Sequence, residues 1–177
     1  MKIRKCKTED IAATGAFYDR VVEYLDGHIN YPKWKYKEYP SEQYASYMTN
    51  AGFQYICTEG EKIIGAFVLN TDPEGEYQKG RWSKNHIEGE YMVIHALAVD
   101  PERSGTGLGK ELVRFCIDTA KQSGYKAIRL DIVPTNTPAQ HLYESFDFRY
   151  AGEADVRPDI EDIPTFCLYE LNFDEIG

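Results

Sequence analysis

No apolar run in this chain approaches the roughly 20 residues that a membrane-spanning helix requires. The opening residues, MKIRKCKTED, hold no apolar h-region, so no signal peptide is expected. Positive charge is in deficit: 20 Lys and Arg stand against 29 Asp and Glu, giving a formal net charge of -9. That balance disfavours nucleic acid and membrane as partners. Cysteine is sparse, and Cys6, Cys57, Cys116 and Cys167 form no close pair of the metal-site kind. They read as free, buried thiols of a cytoplasmic protein, and no metal is expected. Internal repeats and low-complexity tracts are also missing, and charged residues are mixed along an ordinarily hydrophobic chain, so disorder of the whole chain is not expected.

What is present is a hydrophobic share of 42% spread along 177 residues, enough for one domain over 1–177 with a sizeable core. Residues 2–6 read as a short strand. Thr8 reads as an N-cap, and Ile11, Tyr18, Val22 and Leu25 recur behind it at helical spacing. Pro32 and Pro40 break an aromatic segment, after which Ser41 caps a short helix ending near Gly52. Aromatic and β-branched runs at 53–58 and 63–70 predict two strands joined by a turn at EGEK. Residues 71–89 read as a long charged loop, and 90–99 as a central strand. A helix follows to Gly124, then a strand at 126–133. Thr137-Pro138-Ala139-Gln140 matches a capping box that opens another helix. Strands near 148–154 and 165–172 complete the order β-α-α-β-β-β-α-β-α-β-β. This is an α/β (α+β) pattern with a mixed, mostly antiparallel central sheet, helices on both faces and one βαβ crossover.

The sharpest chemical signal is Arg103-Ser104-Gly105-Thr106-Gly107-Leu108-Gly109-Lys110, between the central strand and a helix. Glycines let backbone N–H groups approach a ligand, and a helix N-terminus adds partial positive charge, so together they make a phosphate cradle. The plain alternative is a flexible turn that binds nothing. A P-loop is excluded, because Glu111 follows Lys110 where a magnesium-binding hydroxyl is needed. A dinucleotide fingerprint fits poorly, because the preceding strand does not open a βαβ series.

LAVDPERSGTGLGKELV resembles the strand, glycine-rich loop and helix of the GCN5-related N-acetyltransferase (GNAT) family. A second element, Asn136 to Phe148, is similar to that family's Asn-x-x-Ala-x-x-Leu-Tyr segment and the aromatic turn after it. The resemblance implies a GNAT-like acyl-CoA N-acyltransferase fold. It also implies an acetyl-CoA-dependent transferase that moves an acetyl group to the primary amine of a small molecule by direct attack. Ser104, Gly105, Thr106, Gly107, Leu108, Gly109 and Lys110 would hold the coenzyme pyrophosphate. Backbone groups at Leu97, Ala98 and Val99 would take the pantetheine arm like an added strand and polarise the thioester oxygen. Asn136 would contact the cofactor or hold its loop. Tyr143 would face the sulfur and assist departure of the thiolate. The family usually has Gln or Arg where this chain has Ser104, with Arg103 one place earlier. A homodimer is common for this class, and no residue stripe marks an interface.

Period-two alternation would put Tyr91, Val93, His95, Leu97 and Val99 on one strand face. His95 is the candidate base, able to take the proton that an alkylammonium must lose before it attacks. HALAV is similar to a stretch of the family's arylalkylamine branch, where a histidine belongs to the proton route. The plain reading of His95 is a hydrogen-bonded core neighbour. Glu90 is a weaker candidate, and Val93 occupies a position where other members place a catalytic glutamate. Tyr31, Trp34, Tyr36, Tyr39 and Trp82 either bound an amine through their ring faces or pack their loops down. Asp72, Glu74 and Glu76 either receive a cation or form a solvated surface. A protein acetyltransferase and a catalytically silent acyl-CoA-binding domain are the alternative functions.

Overall fold

Apolar spacing near 3.6 residues is realised in the computed structural model, which describes residues 1–175. Helix α1 (Ile11–Asp26) buries Thr14, Phe17, Tyr18, Val21 and Val22 along one stripe. Thr8 does not cap this helix. Thr8–Asp10 is a 3-10 turn, and Asp10 anchors it by accepting the Lys7 N–H at 2.8 Å and pairing with Arg4 at 2.6 Å. A carboxylate has two acceptor oxygens and a charge, so it serves both donors where one threonine hydroxyl cannot. Ser41 does cap α2 (Glu42–Asn50), its hydroxyl accepting the Tyr44 N–H at 3.3 Å. The two helices touch at Gly15, where a Cβ would stand 2.5 Å from the Cβ of Glu42.

The strands are β1 (Lys2–Lys5), β2 (Gln54–Glu59), β3 (Lys62–Asn70), β4 (Tyr91–Val99), β5 (Ala127–Ile132), β6 (Arg149–Ala154) and β7 (Phe166–Asn172). Their hydrogen-bonded order is β1-β2-β3-β4-β5-β7-β6. Pairs β1–β2, β2–β3, β5–β7 and β6–β7 are antiparallel, whereas β4 and β5 run parallel with Tyr91 opposite Ala127. Helix α3 (Leu108–Gln122) makes the crossover that a parallel pair needs. The result is the expected mixed sheet flanked by helices.

Helix α4 (Thr137–Glu144) starts one residue earlier than the capping-box reading implies. Asn136 is the cap: its Oδ1 accepts the Ala139 N–H at 3.3 Å. The Gln140 N–H, which a Thr137 cap would have claimed, donates instead to the Asn136 carbonyl at 3.1 Å. Pro138 then sits at the second helical position, where its missing N–H costs nothing.

The chain divides into two compact units. The first, Met1–Leu69 with His95–Arg114, has a core of Phe17, Tyr18, Val21, Ala45, Ile56, Ala66, Ala96 and Ala98. The second contains Asn70–Ile94 and the residues from Phe115 onward, around Tyr77, Tyr91, Val93, Ala127, Phe166 and Leu168. The stretch 71–89 is not simply a charged loop. It holds a 3-10 turn at Tyr77–Lys79, and Tyr77 is buried, its hydroxyl donating to Asp131 at 2.6 Å. All four cysteines are buried free thiols.

Candidate functional site

Strand β4 ends at Val99, and the next residue, Asp100, shapes the turn into the glycine loop. Its carboxylate accepts the Glu102 N–H at 3.0 Å and faces Lys62 at 3.1 Å and Arg20 at 3.4 Å. Burial alone would raise this carboxyl, yet the Glu102 N–H and the two cations hold it below its usual value. A 3-10 turn over Pro101–Arg103 follows, and Ser104 and Thr106 donate their N–H groups back to Pro101 and Arg103. Gly105 and Gly107 then adopt φ of 75° and 90°. L-residues rarely take such angles, so glycine is strongly favoured there. A Cβ added at either meets nothing within 4 Å. Ser104, Gly105, Thr106, Gly107 and Lys110 are exposed, and Leu108 is buried. The first helical bond of α3 joins the Glu111 N–H to the Gly107 carbonyl at 3.2 Å. The N–H groups of Leu108, Gly109 and Lys110 precede it and have no carbonyl one turn back in the helix. An open loop of exposed backbone at a helix N-terminus is therefore in place, able to receive an anion. Arg103 is engaged elsewhere, paired with Glu59.

In β4 the expected alternation breaks. Ala96 has φ 47°, a left-handed residue inside an extended strand. Period two cannot pass through such a residue unchanged. Ala96 and Ala98 both face the core of the first unit, Leu97 and Val99 are half-buried, and His95 is buried. The left-handed Ala96 stands between His95 and Leu97 in the strand. The carbonyl of Ala96 accepts a hydrogen bond from the Tyr18 hydroxyl at 3.1 Å, and Gln54 Nε2 donates to that hydroxyl at 3.2 Å. Neither Tyr18 nor Gln54 stands out in the sequence. Tyr18 reads there only as one apolar member of a helix, and the sole available signal is a glutamine opening an otherwise apolar strand. His95, Leu97, Ala98, Val99 and the glycine loop through Lys110 all lie in the first unit.

Asn136 and Tyr143 lie in the second unit. Asn136 spends its carbonyl oxygen on the α4 cap. Tyr143 is buried, with its ring edge-on to Phe148 at 5.4 Å between centroids. Burial, with the Cys116 thiol and Asp131 adding to it, pushes its phenol well above the usual tyrosine value. The hydroxyl thus stays protonated and can donate. Glu90 is tied to Lys126 by an ion pair that pulls its carboxyl below the usual range, which makes it a poor base. Trp82 stacks on the guanidinium of Arg129 at 4.2 Å, Tyr91 covers the other flank at 4.2 Å, and the indole N–H donates to the Tyr77 carbonyl at 2.6 Å. Trp82 is thus a packing residue. Glu76 pairs with Lys79 and Glu74 with Arg157, so these carboxylates are locally paired. Trp34, Tyr39 and Tyr44 pack against the first unit's core, and Tyr36 is exposed. Among the described residues no group of three or more His, Cys, Asp and Glu is placed to hold a metal, and no helix is long and apolar enough to cross a membrane.

Comparison with known proteins gives a consistent result. A family model described as the acetyltransferase (GNAT) family matches residues 18–148. Mycothiol acetyltransferase of Clavibacter sepedonicus is 31% identical over 87 residues, which are 49% of this chain and 28% of that protein. N-acetyltransferase 8B of Homo sapiens is 36% identical over 111 residues, 62% of this chain and 44% of that protein. The chain thus spans less than half the length of these curated relatives. A putative acetyltransferase of Salmonella typhimurium, solved with its cofactor acetyl-CoA, superposes with a TM-score of 0.70 at 20% identity, covering 100% of this chain and 96% of that one. At that identity the likeness speaks for the fold.

Proposed function

Because the chain belongs to the acetyltransferase (GNAT) family, we propose that it binds acetyl-CoA and transfers the acetyl group to a primary amine of a small molecule. The observation that carries this reading is the glycine loop: Gly105 and Gly107 hold left-handed angles with open space where side chains would be, at the start of α3. Such a cradle suits a pyrophosphate, which is large, doubly charged and bound best by backbone N–H groups. Ser104 to Lys110 would hold it, and the backbone at Leu97, Ala98 and Val99 would take the pantetheine arm. Asn136 would steady its own loop beside the cofactor. When bound, acetyl-CoA supplies an activated acyl group and a thiolate leaving group.

The chain's own residues then have three tasks. The Leu97 N–H would stabilise negative charge on the acyl oxygen. His95 would accept a proton from the incoming ammonium, directly or through water, because only the free amine is nucleophilic. Tyr143 would donate to the departing sulfur, a role that its raised phenol suits at neutral pH. The net charge of -9 is compatible with a cationic acceptor.

Two measurements test the reading. Calorimetry should show acetyl-CoA binding that survives a chelator. An acceptor panel, scored by thiol release, should show turnover with at least one small amine. The His95→Ala variant should lower kcat/KM most at neutral pH and least at high pH, where free amine is abundant. An unchanged pH profile would remove His95 from the proton route.

A further inference from the structure

Strained backbone inside a strand persists only where its surroundings hold it. Ala96 is such a residue, at φ 47° in the middle of β4. Its carbonyl does not rely on the sheet alone: the Tyr18 hydroxyl, reaching across from α1, donates to it at 3.1 Å. Tyr18 is fully buried and is itself held in place. Gln54 Nε2 donates to its oxygen at 3.2 Å and also reaches the backbone carbonyls of Tyr55 at 3.1 Å and Phe67 at 3.0 Å. The chain Gln54 to Tyr18 to Ala96 is therefore a buried relay anchored on three strands and one helix. Among the described residues the Gln54 Oε1 is buried without a partner, so the relay is held through Nε2 alone and should be sensitive to single deletions.

The peptide plane turns that contact into a direction. The Ala96 C=O and the Leu97 N–H belong to one planar trans unit, so they point opposite ways. Fixing the oxygen toward Tyr18 fixes the Leu97 hydrogen away from it. We infer that Tyr18, supported by Gln54, is a positioning residue that aims the Leu97 N–H at the acyl oxygen of the bound thioester. This rests on the proposed reading that the chain is an acetyl-CoA-dependent transferase. Burial pushes the Tyr18 phenol far above its usual value, so the hydroxyl remains a donor at every working pH. The inference concerns geometry, not proton transfer, and Tyr18 touches no reacting atom.

The experiment uses acetyl-CoA labelled with carbon-13 at the acetyl carbonyl and isotope-edited infrared difference spectroscopy. A well-aimed N–H donor lowers the carbonyl stretching frequency. In the unaltered protein the bound carbonyl should absorb below its position in water. Tyr18→Phe removes one oxygen and keeps the ring, so it should move the band back toward the aqueous position. The kcat should fall roughly 10-fold, a part of the roughly 10²-fold or more that loss of a whole oxyanion donor costs. The dissociation constant of acetyl-CoA should change less than about twofold. In the protein without cofactor, the Leu97 amide nitrogen and proton shifts should also move. Should Tyr18→Phe fold poorly, 3-fluorotyrosine placed at position 18 keeps the packing and strengthens the donor, and the band should then move further down. An unchanged band and kcat in a folded Tyr18→Phe, or an unmoved band with the fluorinated residue, overturns the inference. Failure of the unaltered protein to bind acetyl-CoA overturns instead the reading on which it rests.

Discussion

Gly107 has φ 90° and Gly60, in the turn between β2 and β3, has φ 60°; at both, a Cβ meets nothing within 4 Å. Alanine at either position therefore creates strain without a clash. A left-handed L-residue costs about 1–2 kcal/mol relative to glycine. In a chain of this size each kcal/mol lowers Tm by about 2–4 °C, so either variant should melt roughly 2–8 °C lower. Binding should separate them. If Gly107 backs the pyrophosphate cradle, a methyl group there displaces the anion from at least one backbone N–H. A hydrogen bond to a charged group contributes about 1.5–3 kcal/mol, so affinity for coenzyme A should fall roughly 10- to 100-fold. Gly60→Ala should bind as the unaltered protein does. The assay is calorimetric titration of both variants with coenzyme A, after melting curves establish that both are folded. Equal affinities in the two variants would refute the cradle at this residue, because strain alone would then account for everything seen.

Three other outcomes are expected. Tyr143→Phe keeps the ring against Phe148 and removes the hydroxyl, so kcat should fall about 10²-fold with acetyl-CoA affinity nearly unchanged, read by steady-state kinetics and calorimetry. Asp100 and Asp10 have carboxyls held below their unfolded values, so their contribution to stability is complete above about pH 4 and is lost as pH falls through the lower folded values. Urea midpoints measured from pH 6 down to pH 2 should drop over that acid range, and Asp100→Asn should flatten part of the decline. Arg129→Leu leaves Glu170 buried without its cation, 4.0 Å away in the intact pair, and should cost about 3–5 kcal/mol. The double variant Arg129→Leu, Glu170→Leu should recover a large part of that loss in Tm, whereas no recovery would mean that the stacking on Trp82 and Tyr91 carried the stability.

What was legible in the sequence divides along a physical line. The stripe of α1, the Ser41 cap, the β4–α3–β5 crossover and the glycine loop were all readable, because each is encoded by residues close together in the chain. Gly105 and Gly107 announce their backbone angles by lacking a Cβ. Ala96 announces nothing: alanine suits an ordinary strand, and its carbonyl is bonded by a tyrosine 78 residues earlier. Trp82 reads in the sequence equally as a pocket wall or as packing, because nothing local reveals that the distant Arg129 would stack on both it and Tyr91. The Thr137 cap failed by one residue for a smaller reason: Asn136 is the better acceptor, and Pro138 tolerates either position. The first two of these share a cause. Ala96 and Trp82 are set by hydrogen bonds and stacking between distant segments, which no local pattern encodes. A site that works through main-chain N–H groups is therefore visible in sequence where glycine permits the geometry, and hidden where a remote side chain imposes it.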